Sequence, residues 1–257
     1  MPGKNIKAIL KDYRKTSEVL PACTEEAAVW IRYDGENPSY CRACLTGPAN
    51  TPYFGGVFFF DVYFPADYPQ VPPLLQFLST VGGTERVHYH LYADGKVCLS
   101  LLGNTEGSDG DRWNPASSCL GQVLVSVQNL FFGEHHYSGG PPQPGSFNIP
   151  GRSITGDGYY EIRVATLRHA IISVMKAVAS SSASSSASAL SRAASEQSLY
   201  EDFASLLGID FGTLQRRILL SLKAEINMLT YSPSILIRLT TEVKNFIQEL
   251  KVLESSK

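Results

Sequence analysis

One cysteine of this chain lies in a setting that could do chemistry. Cys98 follows an Asp-Gly pair, Asp94-Gly95, and precedes an apolar pair, Leu101-Leu102. An Asp-Gly pair favours a tight turn, because glycine adopts positive φ without steric cost. A cysteine held on a turn with polar and basic neighbours can act as a nucleophile, since its thiolate attacks electrophilic carbon. The alternative for a lone cysteine is a small buried apolar side chain, so the motifs around Cys98 decide its role.

The other cysteines favour neither disulfides nor a metal site. The chain has five, an odd number at irregular spacing: Cys23, Cys41, Cys44, Cys98 and Cys119. This pattern argues against a disulfide framework. Cys41 and Cys44 form a C-x-x-C motif, but no second Cys or His pair lies at the spacing of a zinc finger. We therefore expect this pair to be strand residues and expect no bound metal.

The composition is that of a folded globular protein. The chain has 257 residues, of which 44% are hydrophobic, and a formal net charge of −2. That length suits one sizeable domain, or one domain with an appendage. The charge gives no pull toward nucleic acid or an anionic membrane, and no apolar run is long enough to span a bilayer. Because no secretory signal follows Met1, we expect an intracellular protein, cytoplasmic or also nuclear.

The elements that must position Cys98 begin with a helix. The segment from Lys4 to Lys15 carries one apolar stripe and one basic stripe, each at spacings of three and four residues. The basic stripe consists of Lys4, Lys7, Lys11 and Arg14. Two interpretations stay open: a solvated face, or a surface that docks on an acidic partner.

Short strand patterns follow this helix. They extend over Ala28 to Tyr33, Tyr40 to Thr46, Gly55 to Phe64 and Leu74 to Leu78. Turn-forming residues separate the first two, and four prolines interrupt the chain before the last, because proline lacks the amide donor that a ladder needs. Successive short strands with tight turns predict an antiparallel meander.

Two apolar stripes at helical spacing come after the cysteine segment. The first helix is predicted from Leu120 to Phe131, with Ser117 or Ser118 as its N-cap. The second is predicted from about Tyr159 to Val178.

The C-terminal third has a different composition. Residues 179–195 are almost entirely serine and alanine, which indicates a flexible linker or a weak helix extension. Two more helical patterns follow, from Phe211 to Leu229 and from Leu236 to Leu253, with Ser232-Pro233 suited to the start of the second. The sequence thus predicts a core over 1–178, a linker over 179–195 and a helical hairpin over 196–257.

Three motifs in a fixed order resemble those of the ubiquitin-conjugating enzyme family. They match that family's T-P-Y-x-G-G-x-F segment, its F-P-x-D-Y-P-x-x-P-P segment and its active-site cysteine segment. In this chain they begin at Thr51, Phe64 and Asp94. The resemblance covers about Ile6 to Val178. The insertion before Trp113 and the helix after it are similar to the large conjugating enzymes of the giant inhibitor-of-apoptosis type and their hybrid conjugating-enzyme/ligase relatives.

This resemblance implies both a fold and an activity. The fold is α+β, with an N-terminal helix, a four-stranded antiparallel meander and C-terminal helices, here followed by the helical extension. The activity is acceptance of ubiquitin from the activating enzyme as a Cys98 thioester, then transfer to a substrate lysine. No cofactor is implied, since ATP is used by the activating enzyme. Two alternatives stay open: a catalytically silent variant that only binds ubiquitin or a partner, and a conjugating enzyme for another ubiquitin-like modifier.

The chain departs from the family at one tripeptide. Relatives carry His-Pro-Asn upstream of the cysteine, and the asparagine amide donates to the oxyanion that forms during transfer. Here the tripeptide is His88-Tyr89-His90. His88 is retained, and His90 occupies the asparagine position. An imidazole N–H can donate a hydrogen bond, so His90 is a candidate oxyanion donor; the alternative is a loop residue with impaired transfer.

The resemblance also implies partner surfaces. The basic stripe of the first helix matches the face that relatives offer to the activating enzyme. Segments matching ligase contacts in relatives contain Pro69, Gln70 and Val71, and then Pro115 and Ala116. Gln70 stands where many relatives have an aromatic anchor. An acidic or Asn residue that gates the cysteine in relatives would lie within Glu134 to Gly139. Ubiquitin, the activating enzyme, a ligase and a protein substrate are therefore the expected partners.

Overall fold

The computed structural model of the chain describes residues 5–20, 22–23, 28–49, 51–79, 87–88, 90–104, 112–132, 157–172 and 233–255. The chain forms two compact units. The first comprises Met1–Thr51 and Phe58–Ser153, and the second comprises Pro52–Val57 and Ile154–Lys257. The predicted linker over 179–195 lies outside the described residues, so the division at 178 and 195 stays a prediction.

Helix α1 of the first unit covers Ile6–Val19. It begins close to the predicted start and runs four residues past the predicted end at Lys15. It ends at Leu20, whose backbone is extended. Pro21 follows, and a residue before proline is disfavoured in the helical region, which explains where the helix stops.

The sheet has five strands in sequence order: β1 Ala22–Cys23, β2 Ala28–Tyr33, β3 Tyr40–Thr46, β4 Val57–Tyr63 and β5 Leu74–Phe77. The pairs β1–β2, β2–β3 and β4–β5 are antiparallel. The four predicted strands of the meander are confirmed. The sequence analysis missed β1, which is only two residues long and pairs Ala22 with Val29.

Helix α2, Leu120–Phe132, follows the predicted apolar stripe and packs against the sheet. Its Phe132 ring stacks on Phe58 of β4, with ring centroids 4.4 Å apart. Five residues of the stripe are buried, as predicted: Leu120, Val123, Leu124, Val127 and Phe131. The prediction is wrong for its sixth residue, Leu130, which is 38% exposed.

The N-terminus of α2 is capped by α1. The backbone N–H of Leu120 donates to the Asp12 carboxylate at 3.1 Å, and that of Gly121 donates to Thr16 Oγ1 at 3.0 Å. The predicted capping by Ser117 or Ser118 is wrong, because the helix begins later and Ser118 Oγ accepts from the Asn114 N–H instead. A Cβ on Gly121 would lie 3.2 Å from Thr16 Cα, so glycine lets α1 approach this closely.

The second unit is built on helices. Helix α3 covers Asp157–Thr166 and continues as a π-helical segment over Leu167–Ile172, and helix α4 covers Pro233–Ser255. Helix α4 begins at the predicted proline, and the described part of its apolar stripe is buried: Leu239, Val243 and Phe246. The other predicted helix of the hairpin, near 211–229, lies outside the described residues.

Contacts within the second unit are both buried and exposed. The buried Arg163 guanidinium of α3 donates to the Phe54 carbonyl oxygen at 2.6 Å. Two ion pairs join α3 and its continuation to α4: Arg238 with Glu161 at 2.6 Å and Arg168 with Glu242 at 2.7 Å. Across the described part of the chain, no helix has the length and apolar character that a membrane crossing needs.

Candidate active site

Cys98 lies on one arm of a short antiparallel ribbon. The chain turns at Gly95, whose φ is +89°, as the Asp-Gly pair predicts. The arms are joined by the Tyr92 N–H donating to the Lys96 carbonyl and the Cys98 N–H donating to the His90 carbonyl, both at 2.9 Å. Between these bonds Leu91 and Val97 are paired, and both are buried.

This pairing places His90 directly across from Cys98. In an antiparallel ribbon, opposed residues project to the same face, with Cβ atoms about 4.5–5.5 Å apart. Leu91 and Val97 take the other face, which is the core face. The His90 and Cys98 side chains therefore share the face of the ribbon opposite to Leu91 and Val97, where Cys98 is itself buried, with 7% of its surface exposed.

The turn itself is fixed on the sheet. The Phe77 N–H of β5 donates to the Gly95 carbonyl at 2.8 Å. A Cβ on residue 95 would lie 2.8 Å from Gln76 Cγ and 2.9 Å from the Phe77 carbonyl oxygen. Glycine is needed here both for its positive φ and for this close approach to β5.

Asn104 fixes the chain on the other side of Cys98. Its Oδ1 accepts from the Leu99 N–H at 3.0 Å, and its Nδ2 donates to the Val97 carbonyl at 2.8 Å. These bonds bracket the cysteine. The sequence analysis missed Asn104; the signal for it was the adjacent Gly103, which ends the 3₁₀ turn Ser100–Leu102 with a φ of +68°.

The two histidines of the tripeptide form an aromatic cluster with Phe131 of α2. The backbone N–H of His90 donates to His88 Nδ1 at 3.1 Å. Because it accepts this bond, Nδ1 of His88 carries no proton. The ring centroid of Phe131 lies 4.8 Å from that of His88 and 5.6 Å from that of His90. Sequence patterns did not link Phe131 to these residues. Tyr89, between the histidines, lies outside the described residues.

Burial sets the protonation state of His90. The half-buried ring loses solvation, and this lowers its pKa below the ordinary value for histidine. The neutral ring is therefore the favoured form near neutral pH, and it carries one N–H donor.

The segments predicted to contact a ligase are brought together. Trp113 Nε1 donates to the Pro69 carbonyl at 2.8 Å. Lys15 of α1 donates to the Ala116 carbonyl at 3.0 Å. Among the predicted contact residues, Gln70, Val71, Pro115 and Ala116 are exposed and Pro69 is half-buried.

The basic stripe of α1 lies on the surface. Lys7, Lys11 and Arg14 are exposed, while the opposite face buries Ile9 and Asp12. Lys4 lies outside the described residues, as do residues 134–139, where the gating residue was expected.

The C-x-x-C cysteines lie in β3 and are buried, which confirms them as strand residues. Burial raises the thiol pKa of both Cys41 and Cys44, so neither is a ready nucleophile. The described residues contain no group of three or more His, Cys, Asp and Glu side chains that could hold a metal ion.

Comparisons with known proteins agree with these features. A sequence model of the family described as "Ubiquitin-conjugating enzyme" matches residues 9–139. The human protein named dual E2 ubiquitin-conjugating enzyme/E3 ubiquitin-protein ligase BIRC6 is 40% identical over 154 residues, which are 60% of this chain and 3% of that protein. A probable ubiquitin-conjugating enzyme, protein 17 of Caenorhabditis elegans, is 37% identical over 175 residues, which are 66% of this chain and 23% of that protein.

Two further matches extend this set. A putative ubiquitin-conjugating enzyme E2 39 of Arabidopsis thaliana is 34% identical over 168 residues, which are 65% of this chain and 51% of that protein. A solved E2 domain of a Toxoplasma gondii ubiquitin-conjugating enzyme is 26% identical with a TM-score of 0.37, and covers 49% of this chain and 74% of that one. The chain thus spans between a few per cent and about half of these three curated relatives' length.

Proposed function

Because the chain belongs to the ubiquitin-conjugating enzyme family, we propose that it carries ubiquitin on Cys98 and passes it to a lysine of a protein substrate. The observation that supports this most is the setting of Cys98. It lies on a ribbon fixed by Gly95 and Asn104, directly across from a side chain that can donate a hydrogen bond. A nucleophile needs such fixed geometry relative to the group it attacks.

The proposed reaction has two acyl transfers. The Cys98 thiolate attacks the carbonyl carbon at the C-terminus of ubiquitin held as a thioester on the activating enzyme, and the thiolate of that enzyme leaves. A substrate lysine amine then attacks the Cys98 thioester. The carbonyl oxygen gains negative charge, the C–S bond breaks, and the Cys98 thiolate leaves as the amine gives up a proton to solvent. The product is an isopeptide bond.

His90 is the proposed donor to the oxyanion of the second step. Its position opposite Cys98 puts both side chains on the same face of the ribbon. A neutral imidazole can donate its single N–H, and removing one oxyanion donor typically costs about 10²–10³ in rate. His88 then has a supporting part, since its Nδ1 accepts the backbone N–H of His90.

The proposed partner surfaces follow from exposure. Lys7, Lys11 and Arg14 present a cationic face for an acidic surface on the activating enzyme. Gln70 and Val71, tied to the Trp113 segment, are proposed to contact a ligase. The substrate and the ligase themselves are not specified by these surfaces.

A charging assay tests the proposal. Incubation with activating enzyme, ATP and ubiquitin should give an adduct that thiol reagents release, and Cys98→Ser should abolish it or replace it with a thiol-resistant oxyester. Cys119→Ser is the matched control, because that cysteine is buried like Cys98 but directly precedes α2 and is not part of the ribbon. An adduct that survives Cys98→Ala but disappears in Cys119→Ala would contradict the proposed role of Cys98.

The same assay separates the alternatives. A chain that binds ubiquitin without forming the adduct is the silent variant. A chain that forms the adduct only with another ubiquitin-like modifier and its own activating enzyme conjugates that modifier. A charged chain whose His90→Ala variant discharges to free lysine at the wild-type rate has no oxyanion donor at His90.

A further inference from the structure

Phe131 contacts both histidines of the tripeptide from the last turn of α2. Its ring is inclined by 23° to the His88 ring and by 24° to the His90 ring, with centroids at 4.8 Å and 5.6 Å. The two imidazoles lie 5.5 Å apart. Only 2% of Phe131 is exposed, so its ring is held by the core while one face supports the cluster.

A histidine in this position presents an aromatic face that can stack on Phe131, which an asparagine does not. The final torsion of a histidine side chain is broad and roughly two-fold, so backbone hydrogen bonds alone do not fix where its N–H points. The bond from the backbone N–H of His90 to His88 Nδ1 fixes the backbone at His90, not the orientation of the His90 ring. An aromatic ring packed nearly parallel to the imidazole restricts that rotation and keeps water from its face.

We propose that Phe131 is a positioning residue for the transfer step: by stacking on His88 and His90, it holds the His90 ring in the orientation that serves the Cys98 thioester. This inference rests on the proposed function. The histidine that replaces the asparagine of His-Pro-Asn then depends on a second segment, the end of α2, which lies about 40 residues further along the chain.

The chain offers a matched control for this idea. Phe132 is the next residue of the same helix and is fully buried, but its ring stacks on Phe58 of the sheet at 4.4 Å. Phe131→Leu and Phe132→Leu remove the same atoms from adjacent core positions. Phe131→Leu removes the ring that stacks on both histidines, and Phe132→Leu removes the ring that stacks on Phe58.

The experiment is single-turnover discharge of the preformed Cys98–ubiquitin thioester to free lysine. We expect Phe131→Leu to slow discharge about tenfold, within the roughly 10²-fold that misplacing a catalytic group by about 1 Å can cost. Charging by the activating enzyme should be unchanged. Phe132→Leu should lower Tm about as much as Phe131→Leu does and leave discharge within about twofold of wild type, since the Phe132 ring stacks on Phe58 of the sheet.

Repeating Phe131→Leu in a His90→Asn variant distinguishes positioning of the His90 ring from a purely structural role of Phe131. An asparagine amide has no aromatic ring to stack on Phe131, so Phe131→Leu should change discharge by less than about twofold in that background. Equal slowing in both backgrounds, or equal slowing by Phe132→Leu, would overturn the inference.

A measurement on the unmutated chain keeps the inference testable if Phe131→Leu does not fold. In NMR spectra the His88 and His90 ring protons should be shifted upfield by the Phe131 ring current and show cross-relaxation with its ring protons. Absence of these contacts overturns the inference. Failure of the wild-type chain to charge overturns the proposed function and this inference with it, whereas charging with normal discharge in Phe131→Leu overturns the inference alone.

Discussion

The two units of this chain tie their elements together in different ways. In the first unit, polar side chains of one element bond to the backbone of another inside the core, as Asp12 does to the first turn of α2. The second unit also has such a bond, from the buried Arg163 to the Phe54 carbonyl, but its α4 is joined to the preceding helical segment by ion pairs between side chains. Arg238 and Glu161 of one pair are each 40% exposed, whereas Glu242 of the other is buried.

The difference has an energetic meaning. A buried donor that loses its acceptor costs about 1–3 kcal/mol, because water does not replace the lost bond. An exposed ion pair contributes about 0–1 kcal/mol. The buried contacts of the first unit, such as those of Asp12, should therefore tolerate few changes, while the exposed Arg238–Glu161 pair of the second should tolerate many. Variants at each kind of contact test this difference.

Gly95→Val should have the largest effect. The side chain would meet Gln76 and the Phe77 carbonyl, and a β-branched residue is strained at a φ of +89°. Strain and overpacking together should lower the free energy of unfolding by about 3–5 kcal/mol. Urea denaturation followed by circular dichroism measures this.

Gly35→Val is its control, because no atom lies within 4 Å of a Cβ built there. A loss of less than about 1 kcal/mol is expected for that surface position. If Gly95→Val were as stable as Gly35→Val, the ribbon would not be fixed on β5 as described.

Asp12→Ala should have the second-largest effect. It removes the acceptor for Tyr68 Oη and for the Leu120 N–H, both inside the core. We expect a loss of about 2–3 kcal/mol from one cap and one buried hydrogen bond. Amide hydrogen exchange should show the first turn of α2 opening more often, and unchanged protection there would contradict the capping role.

Asp12→Asn sharpens the same test through pH. Burial, opposed by hydrogen bonds from Tyr68 and Leu120, raises the carboxyl pKa of Asp12 above its ordinary 3.8. A raised folded-state pKa gives stability that is full below the unfolded pKa and is lost as pH rises through the folded value. The stability of wild type relative to Asp12→Asn should therefore fall as pH rises above about 4, the ordinary pKa of the carboxyl. A difference that is flat or rises with pH would contradict this.

Arg238→Ala should have the smallest effect. Its partner Glu161 stays solvated, so the loss should be below about 1 kcal/mol and should shrink in high salt. Denaturation at low and high ionic strength checks both points. A loss as large as that of Asp12→Ala would remove the contrast between the units.

Sequence patterns predicted the features that depend on residues close together in the chain. The alternation of β4, the stripes of α2 and α4 and the Asp-Gly turn each depend on residues a few positions apart. The strands from Ala28 to Phe77 were confirmed within two residues at each end.

Partners distant in sequence were not predictable. Asp12 and Leu120 are 108 positions apart, and nothing in a pattern of period two or 3.6 joins them. The stacking of Phe131 on His90 is of the same kind: the α2 stripe predicts a buried residue at 131 but not which side chain it contacts. The role of Asn104 was not predicted for a different reason. Its hydrogen bonds to Leu99 and Val97 depend on the left-handed backbone conformation of Gly103.

The ribbon that carries Cys98 is bound at the turn to β5 and beyond the cysteine by Asn104. Such a thiol has little conformational entropy left to lose when it reacts, which is a gain in effective concentration. It also has little freedom to search for an acceptor. In the proposed reaction, the incoming lysine must then be delivered to a stationary thioester by whatever binds at Gln70, Val71, Pro115 and Ala116, so the choice of substrate falls to those docking surfaces and not to motion of the nucleophile.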